Sequence, residues 1–299
     1  MDGFDPLFFL EVTLAGLGTG ALLALTSLAI VLIYKATRVL NLAVGEMLML
    51  GAYLFLSFAG TLALPVWAAA PLVLLGGGLL GGVIERTVIR PMLGESPVSV
   101  FMVTIGLGSV LVGLVELTWG AAPTQLPDVM GTAPVFLPTP WGDAYVSRKS
   151  AIGFVVASSL VAAVVLVFRF WRGGVALRAT ATDQGAAYSC GINVPRVFSL
   201  TWIVAGMAAG GAGILVGAVG GLSPTMGVFG LSALVVVIVG GLDSIAGALV
   251  GGVVVGLVEA WSGTFLGGEF KLLATFSLLL VILMVRPHGL FGTAEIERL

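Results

Sequence analysis

VTLAGLGTGALLALTSLAIVLIY, residues 12–34, decides the fold class of this chain because it contains no Asp, Glu, Lys, Arg or His. An α-helix rises about 1.5 Å per residue, so about 20 apolar residues cross a hydrocarbon core of about 30 Å. Residues 47–84 and 197–242 are equally free of those residue types. The first of these runs could cross nearly twice, and the second is broken near its middle at residues 220–224. The sequence therefore predicts a protein whose helices cross a membrane several times.

The composition is typical of a membrane protein. Hydrophobic residues make up 59% of the 299 residues and charged residues 9%, whereas about a quarter of a typical soluble domain is charged. The basic residues are scattered and form no single stripe, so we expect no nucleic-acid partner. A single cysteine, Cys190, excludes an intrachain disulfide and a thiolate metal cluster. The acidic start lacks the basic region of a cleaved signal peptide, so the first apolar segment is expected to be retained.

We predict an all-α fold: a polytopic transmembrane helical bundle of about eight or nine spans that forms one domain over residues 1–299. The predicted spans lie near residues 10–34, 41–60, 66–85, 98–118, 151–170, 198–220, 227–242, 244–260 and 271–286. The two short apolar runs within 227–260 meet at a glycine-rich break. They can alternatively form a re-entrant pair lined by protein, which leaves seven full crossings.

The distribution of basic residues predicts the orientation of the bundle. All but three of the 13 Lys and Arg residues fall on one side of it, the exceptions being Arg148, Lys149 and Lys271. Cytoplasmic loops carry the excess of basic residues, so this side is expected to face the cytoplasm. The prediction is an N-terminus outside, a C-terminus inside and nine crossings. The proline-rich stretch 119–150 then lies outside, and the loop 172–197 lies in the cytoplasm.

The 44 glycines are too many for turns alone. Residues four apart share a helix face, and a face without side chains lets helix backbones approach closely inside a membrane. We therefore predict close helix packing at most of the glycines spaced by four. These are Gly16 and Gly20, Gly77 and Gly81, Gly78 and Gly82, Gly206 and Gly210, Gly213, Gly217 and Gly221, Gly247 and Gly251, and Gly252 and Gly256.

Residues that common catalytic and metal sites require are missing from the sequence. The single histidine, His288, excludes a two-histidine metal motif, and we expect no metal site. The lysines do not follow a Gly-x-x-x-x-Gly pattern, so this chain is not expected to hydrolyse ATP by itself. Transport or channel activity is the function class that remains. We expect no acid at the centre of a long span, which counts against a proton- or sodium-driven carrier.

The first informative motif is LNLAVGEMLMLGAY, residues 40–53. Asn41, Gly45 and Glu46 place polar groups and a flexible point at the start of the second predicted span. One interpretation is a cytoplasmic helix start, with Asn41 as the N-cap and Glu46 in an early turn. The other is that Asn41 and Glu46 shape a translocation path or its gate, since a buried Glu needs a partner.

The second motif is the predicted cytoplasmic loop 172–197. Residues 175–189 are expected to form a short Ala-rich helix that ends at Gly191, in the position of a glycine C-cap. Its small side chains, with charges at Arg178 and Asp183, suit docking into a groove on a soluble partner, while a plain connector is the alternative. The third motif, residues 239–252, is the glycine-rich break between two short apolar runs.

Together these motifs resemble the permease subunits of branched-chain amino acid ABC importers. The resemblance extends over almost the whole chain and includes VTIGL at 103–107, LTWG at 117–120 and VRPHGLFG at 285–292. It implies a multi-pass inner-membrane importer half that pairs with a second permease, homologous or identical. The other implied partners are two cytoplasmic ATPase subunits, which bind the ATP and Mg, and an extracytoplasmic substrate-binding protein. The chain itself is expected to bind no cofactor.

The resemblance also implies roles for individual residues. The residues implied in the translocation path or gate are Asn41, Gly45, Glu46, Thr104 and Gly106. The residues implied in coupling to the ATPases are Arg178, Asp183, Ala186, Ala187, Gly191, Ile192, Asn193 and Arg196.

The chain departs from the family pattern at three positions. Gly185 replaces the Glu of the ABC permease signature Glu-Ala-Ala-x-x-x-Gly, so a contact from that Glu to the ATPase is not available. Leu42 and Val44 stand where the family has an aromatic ring and an imidazole, in a pattern close to Asn-Phe-Ala-His. Alternatives are therefore a permease of the same superfamily for urea, amides or sugars, and a stand-alone secondary carrier or channel.

Overall fold

The computed structural model describes residues 5–292, and over that range the fold is a helical bundle with a small β-hairpin. In chain order the helices are α1 (Pro6–Thr37), α2 (Val44–Phe55), α3 (Val66–Ile84), α4 (Pro97–Trp119), α5 (Arg148–Phe170), α6 (Arg172–Thr182), α7 (Gln184–Ser189), α8 (Val194–Gly220), α9 (Val228–Gly240), α10 (Ile245–Phe265) and α11 (Phe270–Val285). The hairpin consists of β1 (Val135–Thr139) and β2 (Gly142–Val146). The two chain ends, whose sides of the membrane the charge pattern predicts, lie outside the described residues.

The predicted transmembrane helical bundle is confirmed. Within the described range, 7 helical segments are long and apolar enough to cross a membrane. Pro224–Gly240 and Phe270–Val285 are shorter apolar helices. Each of the nine apolar segments expected from the sequence is thus helical. A π-helical turn, Leu56–Thr61, extends α2.

α1 is the central helix of the bundle. Leu25, Leu28 and Ile33 are fully buried, and 89% of its most apolar stretch is buried inside the protein. Helices α5, α8, α9 and α10 pack around it. A helix that is apolar on every side fits such a position, because each face is covered by another apolar surface.

Glycines bring α1 and α10 into close contact, as their spacing predicts. A Cβ atom at Gly20 would lie 2.8 Å from the carbonyl oxygen of Gly252, and one at Gly16 would lie 2.9 Å from Cβ of Ala260. The same kind of contact joins α3 to α8, where a Cβ atom at Gly81 would overlap a backbone carbonyl oxygen of α8. Larger residues at these positions would force the helices apart.

The second span does not begin as predicted. Helix α1 ends at Thr37, and its C-cap residue, Arg38, adopts a left-handed conformation with φ 56°. The chain then runs non-helically, with Val39, Asn41 and Ala43 buried, until α2 begins at Val44. Ala43 occupies the N-cap position of α2 and makes no side-chain capping bond, so the prediction that Asn41 is the N-cap is wrong. Non-helical backbone inside a membrane protein is tolerated where protein covers it, as it does here.

The C-terminal motif closes the glycine-rich break after α9. Backbone N–H groups of Leu290 and Phe291 donate to the carbonyl oxygens of Val239 and Gly240, at 2.8 and 2.9 Å. These carbonyl groups belong to the last turn of α9, so no N–H group of that helix donates a hydrogen bond to them. The sequence VRPHGLFG therefore satisfies the backbone of a helix that lies well before it in the chain.

A β-hairpin, which was not predicted from the sequence, lies within the proline-rich stretch 119–150. Strands β1 and β2 pair antiparallel, with Phe136 opposite Tyr145. Pro138 lies within β1. The prolines exclude a long helix here, as expected, but a two-stranded ribbon tolerates them because each strand has a free edge. The fold is therefore a helical bundle, as predicted, with one short β-hairpin that was not predicted.

Candidate functional site

Glu46 places a carboxyl group in the middle of the bundle. Gly108 lies midway along the 23-residue α4, and a Cβ atom there would be 3.2 Å from the Glu46 carboxyl carbon. On the other side, a Cβ atom at Gly227 would be 2.7 Å from Oε1 of Glu46. The expectation that no acid lies at the centre of a long span is not contradicted, because Glu46 stands in the first turn of its own helix. Glu46 is early in α2, but α2 itself begins deep in the bundle.

One oxygen of this carboxyl group has no protein partner. Oε2 of Glu46 is buried and makes no hydrogen bond within residues 5–292. Burial of an unpaired ionisable group in apolar surroundings is costly, so acids kept inside membrane bundles commonly belong to ion or substrate pathways. Gly108 and Gly227 let their backbones pack directly against the carboxyl group, and neither residue offers it a cation. Oε2 can therefore accept a hydrogen bond that the described part of the protein does not supply.

Asn41 and Thr104 hold the non-helical segment that leads to Glu46. Oδ1 of Asn41 accepts a hydrogen bond from the backbone N–H of Ala43 at 3.0 Å. Oγ1 of Thr104 accepts one from the backbone N–H of Leu42 at 3.4 Å. Both side chains are fully buried. An unsatisfied buried donor costs about 1–3 kcal/mol, so these two contacts stabilise the segment.

Gly45 belongs to the same site, and Gly106 does not. Gly45 packs against the first turn of α9, where a Cβ atom at Gly230 would lie 2.7 Å from Cα of Gly45. Gly106 is exposed on α4, and a Cβ atom there would meet no atom within 4 Å. The structure thus brings together four of the predicted path residues, namely Asn41, Gly45, Glu46 and Thr104.

Gly108 and Gly227 are site residues that the sequence analysis did not single out. They lie on α4 and on the turn before α9, and they meet only because both flank Glu46. Gly108 is separated from Gly106 by one residue, and no local pattern tells the buried glycine from the exposed one. Only their three-dimensional position next to Glu46 marks these two glycines as site residues, and a single sequence does not contain that information.

The predicted cytoplasmic loop forms two short helices instead of one helix over 175–189. Asp183 is extended, with φ −155°, and separates α6 from α7. Its carboxylate accepts a hydrogen bond from the backbone N–H of Ala186 at 2.9 Å. Asp favours this capping position over a helix interior, which explains the break. Gly191 has φ 80° just after α7, in agreement with the predicted glycine cap.

The exposed face of α7 differs from the predicted docking residues. Ala186 is exposed, but Ala187 is 4% exposed and packs against the bundle. The Arg178 guanidinium donates to the carbonyl oxygen of Phe168, near the end of α5, and thereby holds α6 in place. Tyr188 was not anticipated and is 72% exposed. It is the aromatic side chain that α7 presents to solvent.

The remaining residues predicted to couple to the ATPases join α7 to the bundle. The Ile192 N–H donates to the carbonyl oxygen of Ala187 at 3.0 Å. Asn193 caps α8, accepting a hydrogen bond from the backbone N–H of Arg196 at 3.1 Å. The link between α7 and α8 is therefore short and hydrogen-bonded at both ends.

A buried polar network ties the start of α8 to the end of α3. Glu85 is 1% exposed, and its carboxylate accepts hydrogen bonds from Nε of Arg90 at 3.0 Å and from Oγ of Ser199 at 3.0 Å. Nη2 of Arg90 also donates to Oγ of Ser199 at 2.7 Å. A displacement of α7 would consequently act on α8 and α3 together.

Comparison with known proteins places this architecture in a family. A family described as "Branched-chain amino acid transport system / permease component" matches residues 12–286. The high-affinity branched-chain amino acid transport system permease protein LivH of Salmonella typhimurium strain LT2 is 30% identical over 302 residues, covering 98% of each chain. The permease protein BraD of the corresponding system of Pseudomonas aeruginosa is 28% identical over 300 residues, covering 97% of this chain and 98% of that one.

A solved structure shares the fold. PsaBC from Streptococcus pneumoniae in complex with Fab superimposes with a TM-score of 0.51 and 13% sequence identity, covering 93% of this chain and 92% of that one. The family match, with the apolar helices, identifies a multi-pass inner-membrane protein. Because the family match runs through the Glu46 region and the α6–α7 segment, this chain belongs to the family of branched-chain amino acid transport permeases.

Proposed function

We propose that this chain is the membrane-spanning permease of an ATP-driven importer for branched-chain amino acids. It receives substrate from an extracytoplasmic binding protein and pairs with a second permease, homologous or identical. Two cytoplasmic ATPase subunits bind ATP and Mg²⁺ and drive the cycle, while this chain binds no cofactor. The observation that carries the proposal is the match along nearly the whole chain to permeases named for high-affinity branched-chain amino acid transport.

Glu46 is the proposed polar point of the translocation path. Its buried Oε2 has no protein partner, and glycines lie on both sides of the carboxyl group. An amino acid carries an ammonium group, which can donate to such an oxygen, and charge-assisted hydrogen bonds are stronger than neutral ones. Asn41 and Thr104 keep this part of the chain non-helical, so that Glu46 enters the bundle at mid-depth. Gly106, on the far face of α4, is not included in the proposed path.

The exposed face of α7 is the proposed docking surface for an ATPase subunit. It combines the small Ala186 and Gly185 with the exposed ring of Tyr188. Aromatic side chains are typical anchors in protein interfaces, where they fill a pocket of the partner. The aromatic anchor would supply a contact that does not depend on the Glu of the family signature, which Gly185 replaces here. ATP-driven movement of α7 would then reach the bundle through α8.

Uptake by the complete system tests the substrate. The permease would be expressed with its partner permease, ATPase and binding-protein subunits in a strain that lacks its own leucine uptake. We expect labelled leucine to accumulate in an ATP-dependent manner, and unlabelled isoleucine and valine to compete with it. Competition by urea, short amides or sugars in place of these amino acids would assign a different substrate. ATP-independent uptake by the permease alone would contradict the importer proposal.

The docking surface is tested by replacing its exposed aromatic side chain. Tyr188→Ala is expected to reduce copurification of the ATPase subunits about tenfold or more, since loss of an anchor residue commonly costs 2 kcal/mol or more, roughly 30-fold in affinity. The matched control is Tyr145→Ala, because Tyr145 is 51% exposed at the opposite end of the bundle. Equal copurification with both variants would exclude Tyr188 from the docking surface. The substitution Ala187→Trp is not informative here, because Ala187 is buried and a larger side chain would disturb the bundle itself.

A further inference from the structure

A charged cleft lies at the end of the bundle that carries the β-hairpin, away from the Glu46 site. It has a volume of about 480 Å³ and is bounded by α1, the end of β2, the start of α5, α10 and α11. None of its lining residues belongs to the Glu46 site or to α6 and α7. The proposed import cycle therefore does not account for this cleft.

A nearly buried carboxylate and a half-exposed ammonium group line the cleft together. Glu259 on α10 is 5% exposed, and its Oε1 accepts a hydrogen bond from Oγ1 of the buried Thr275 at 3.3 Å. Nζ of Lys271 lies 4.0 Å from Oε2 of Glu259, and the lysine side chain is 45% exposed. That separation is too long for a hydrogen bond. Within residues 5–292, Nζ of Lys271 has no hydrogen-bond acceptor, so its three donors remain available to a ligand.

The position of Lys271 depends on a glycine. Its aliphatic stem lies across α10 at Gly263, where a Cβ atom would be 3.0 Å from Cγ of the lysine. Any larger residue would displace the stem, so Gly263 helps the ammonium group to reach the cleft beside Glu259. Lysine side chains commonly lie along apolar surface in this way and keep the charged end in water.

A second carboxylate comes from α1. Oε1 of Glu11 accepts a hydrogen bond from the backbone N–H of Tyr145 at 2.7 Å, which fixes the end of the hairpin over the cleft. The second oxygen of Glu11 makes no hydrogen bond within the described range. Hydroxyl groups of Ser150 and Thr264 also line the cleft. The walls thus offer two carboxylates, one ammonium group and several hydroxyls around a space large enough for a small molecule.

We propose that this cleft binds a zwitterion that carries a primary ammonium group and an anionic group. The ammonium group would lie between Glu11 and Glu259, and the phosphate or carboxylate would accept hydrogen bonds from Lys271. A purely cationic ligand would leave Lys271 without an acceptor, and a purely anionic one would meet two carboxylates. Two sources have this chemistry: the headgroup of phosphatidylethanolamine from the surrounding leaflet, and a free amino acid. This inference is independent of the proposed import function.

Lipid retention and ligand binding distinguish the two sources. The assembled transporter would be placed in nanodiscs that contain equal amounts of phosphatidylethanolamine and phosphatidylcholine, and retained lipids would be counted by native mass spectrometry. Phosphatidylcholine is the matched probe, because its quaternary ammonium group cannot donate a hydrogen bond. Binding of glycerophosphoethanolamine and of labelled leucine would be measured by equilibrium dialysis on the same preparation.

The decisive variant is Lys271→Gln, because the half-exposed lysine can be replaced without disturbing the core. Its matched control is Lys149→Gln, at the same end of the bundle but outside the cleft. Glu259→Gln is the second variant, with the exposed Glu116→Gln as its control. If Glu259→Gln does not fold, the comparison of Lys271→Gln with Lys149→Gln is sufficient.

We expect Lys271→Gln to retain or bind the zwitterion at least fivefold less than the wild type does, because the phosphate or carboxylate loses its ammonium partner, and Lys149→Gln to leave binding unchanged. A preference for phosphatidylethanolamine over phosphatidylcholine, which share the phosphate, should be lost in Glu259→Gln. Preferential retention of phosphatidylethanolamine would identify the lipid as the source, and leucine binding that depends on Lys271 would identify the free amino acid. Equal retention of both lipids, with no leucine or glycerophosphoethanolamine binding sensitive to Lys271→Gln, would overturn the proposal. Leucine binding that persists in Lys271→Gln but is lost in Glu46→Gln belongs to the translocation path and supports only the proposed function, so it counts against this site.

Discussion

Glu46 owes its position to the residues just before it. Arg38 ends α1 in a left-handed conformation, and the following residues run into the bundle without helical hydrogen bonds. Asn41 and Thr104 provide the acceptors that the helix would otherwise supply. The polar residues of the first motif are therefore needed twice: some to make a non-helical entry stable, and Glu46 to present a carboxyl group at mid-depth.

Glu46→Gln tests whether this carboxyl group interacts with the substrate. The amide keeps the size of the side chain but loses the charge that would pair with an ammonium group. A hydrogen bond to a charged group contributes about 1.5–3 kcal/mol, so we expect the initial rate of leucine uptake to fall about tenfold or more. The measurement is uptake at equal membrane expression, with Glu116→Gln, an exposed acid on α4, as the control.

Uptake at the wild-type rate in Glu46→Gln would contradict the path proposal. Glu46 would then only favour the start of α2 through the helix dipole, where a charge contributes about 0.3–1 kcal/mol. Loss of uptake accompanied by loss of folded protein would be assigned to stability, and for that reason the thermal midpoint of each variant would be measured with the uptake.

The sequence indicated the first motif but not its depth in the bundle. Asn41, Gly45 and Glu46 could be selected because polar residues are rare beside a long apolar run. Their depth could not be predicted, since an entry segment and a helix N-cap contain the same residue types. Tyr188 and the buried Ala187 show the same limit, because neighbouring residues on a short helix differ in exposure only through tertiary packing.

A hydrogen-bond network connects α8, which follows α7, to the end of α3. Glu85 is buried and accepts hydrogen bonds from Arg90 and Ser199, which belong to different elements. Glu85→Gln would leave Arg90 with a neutral acceptor and at least one weaker bond. We expect the variant to lower the free energy of unfolding by about 1–3 kcal/mol and to reduce transport per ATP hydrolysed.

The measurements are the thermal midpoint of the detergent-solubilised transporter and the ratio of leucine uptake to ATPase rate. Glu95→Gln is the control, since Glu95 is an exposed acid in the connection before α4. A variant that is less stable but has an unchanged ratio would limit the network to a structural role. Unchanged values of both would show that Glu85 connects the elements without energetic consequence.

Glycine contacts provide a second prediction about elements. Gly252→Val would place side-chain atoms where Cβ alone would lie 2.7 Å from Cβ of Ala24, so α10 would have to move away from α1. Overpacking of this kind commonly costs about 1–3 kcal/mol. We expect a lower thermal midpoint and less folded protein in the membrane. Gly113→Val is the control, because a Cβ atom at Gly113 would meet nothing within 4 Å. Equal midpoints for both variants would contradict the close packing of α1 and α10.

Hydrophobic runs predicted the helices well, and short polar stretches were predicted poorly. Charge-free length determines where a membrane helix can form, so each apolar run appears as a helix. The hairpin was missed because Pro138 argues against regular structure in a sheet interior but not in a free-edged ribbon. The break at Asp183 was missed because an Ala-rich composition favours a helix on either side of a capping residue.

At the scale of the whole molecule, the apolar bundle separates two ends of different chemistry. One end has the β-hairpin and the cleft of Glu11, Glu259 and Lys271, and the other has the α6–α7 segment. Helix α5 runs from the first end to the second, since it begins just after β2 and ends just before α6. A transporter of this family needs two such ends, because its proposed partners approach from opposite sides of the membrane.

The single cysteine allows the orientation of the bundle to be tested in the native sequence. Cys190 is exposed and follows α7, so the excess of basic residues near it predicts a cytoplasmic position. A membrane-impermeant maleimide is expected to label Cys190 in permeabilised spheroplasts but not in intact ones. The matched variant combines Cys190→Ser with Asp143→Cys, which moves the thiol to an exposed position at the start of β2, and it should be labelled in intact spheroplasts. If Cys190 were labelled in intact spheroplasts and the hairpin cysteine were protected, the orientation of the bundle would be the reverse of the predicted one. The face of α7 would then be unable to meet a cytoplasmic ATPase, and the docking surface would have to be sought at the hairpin end.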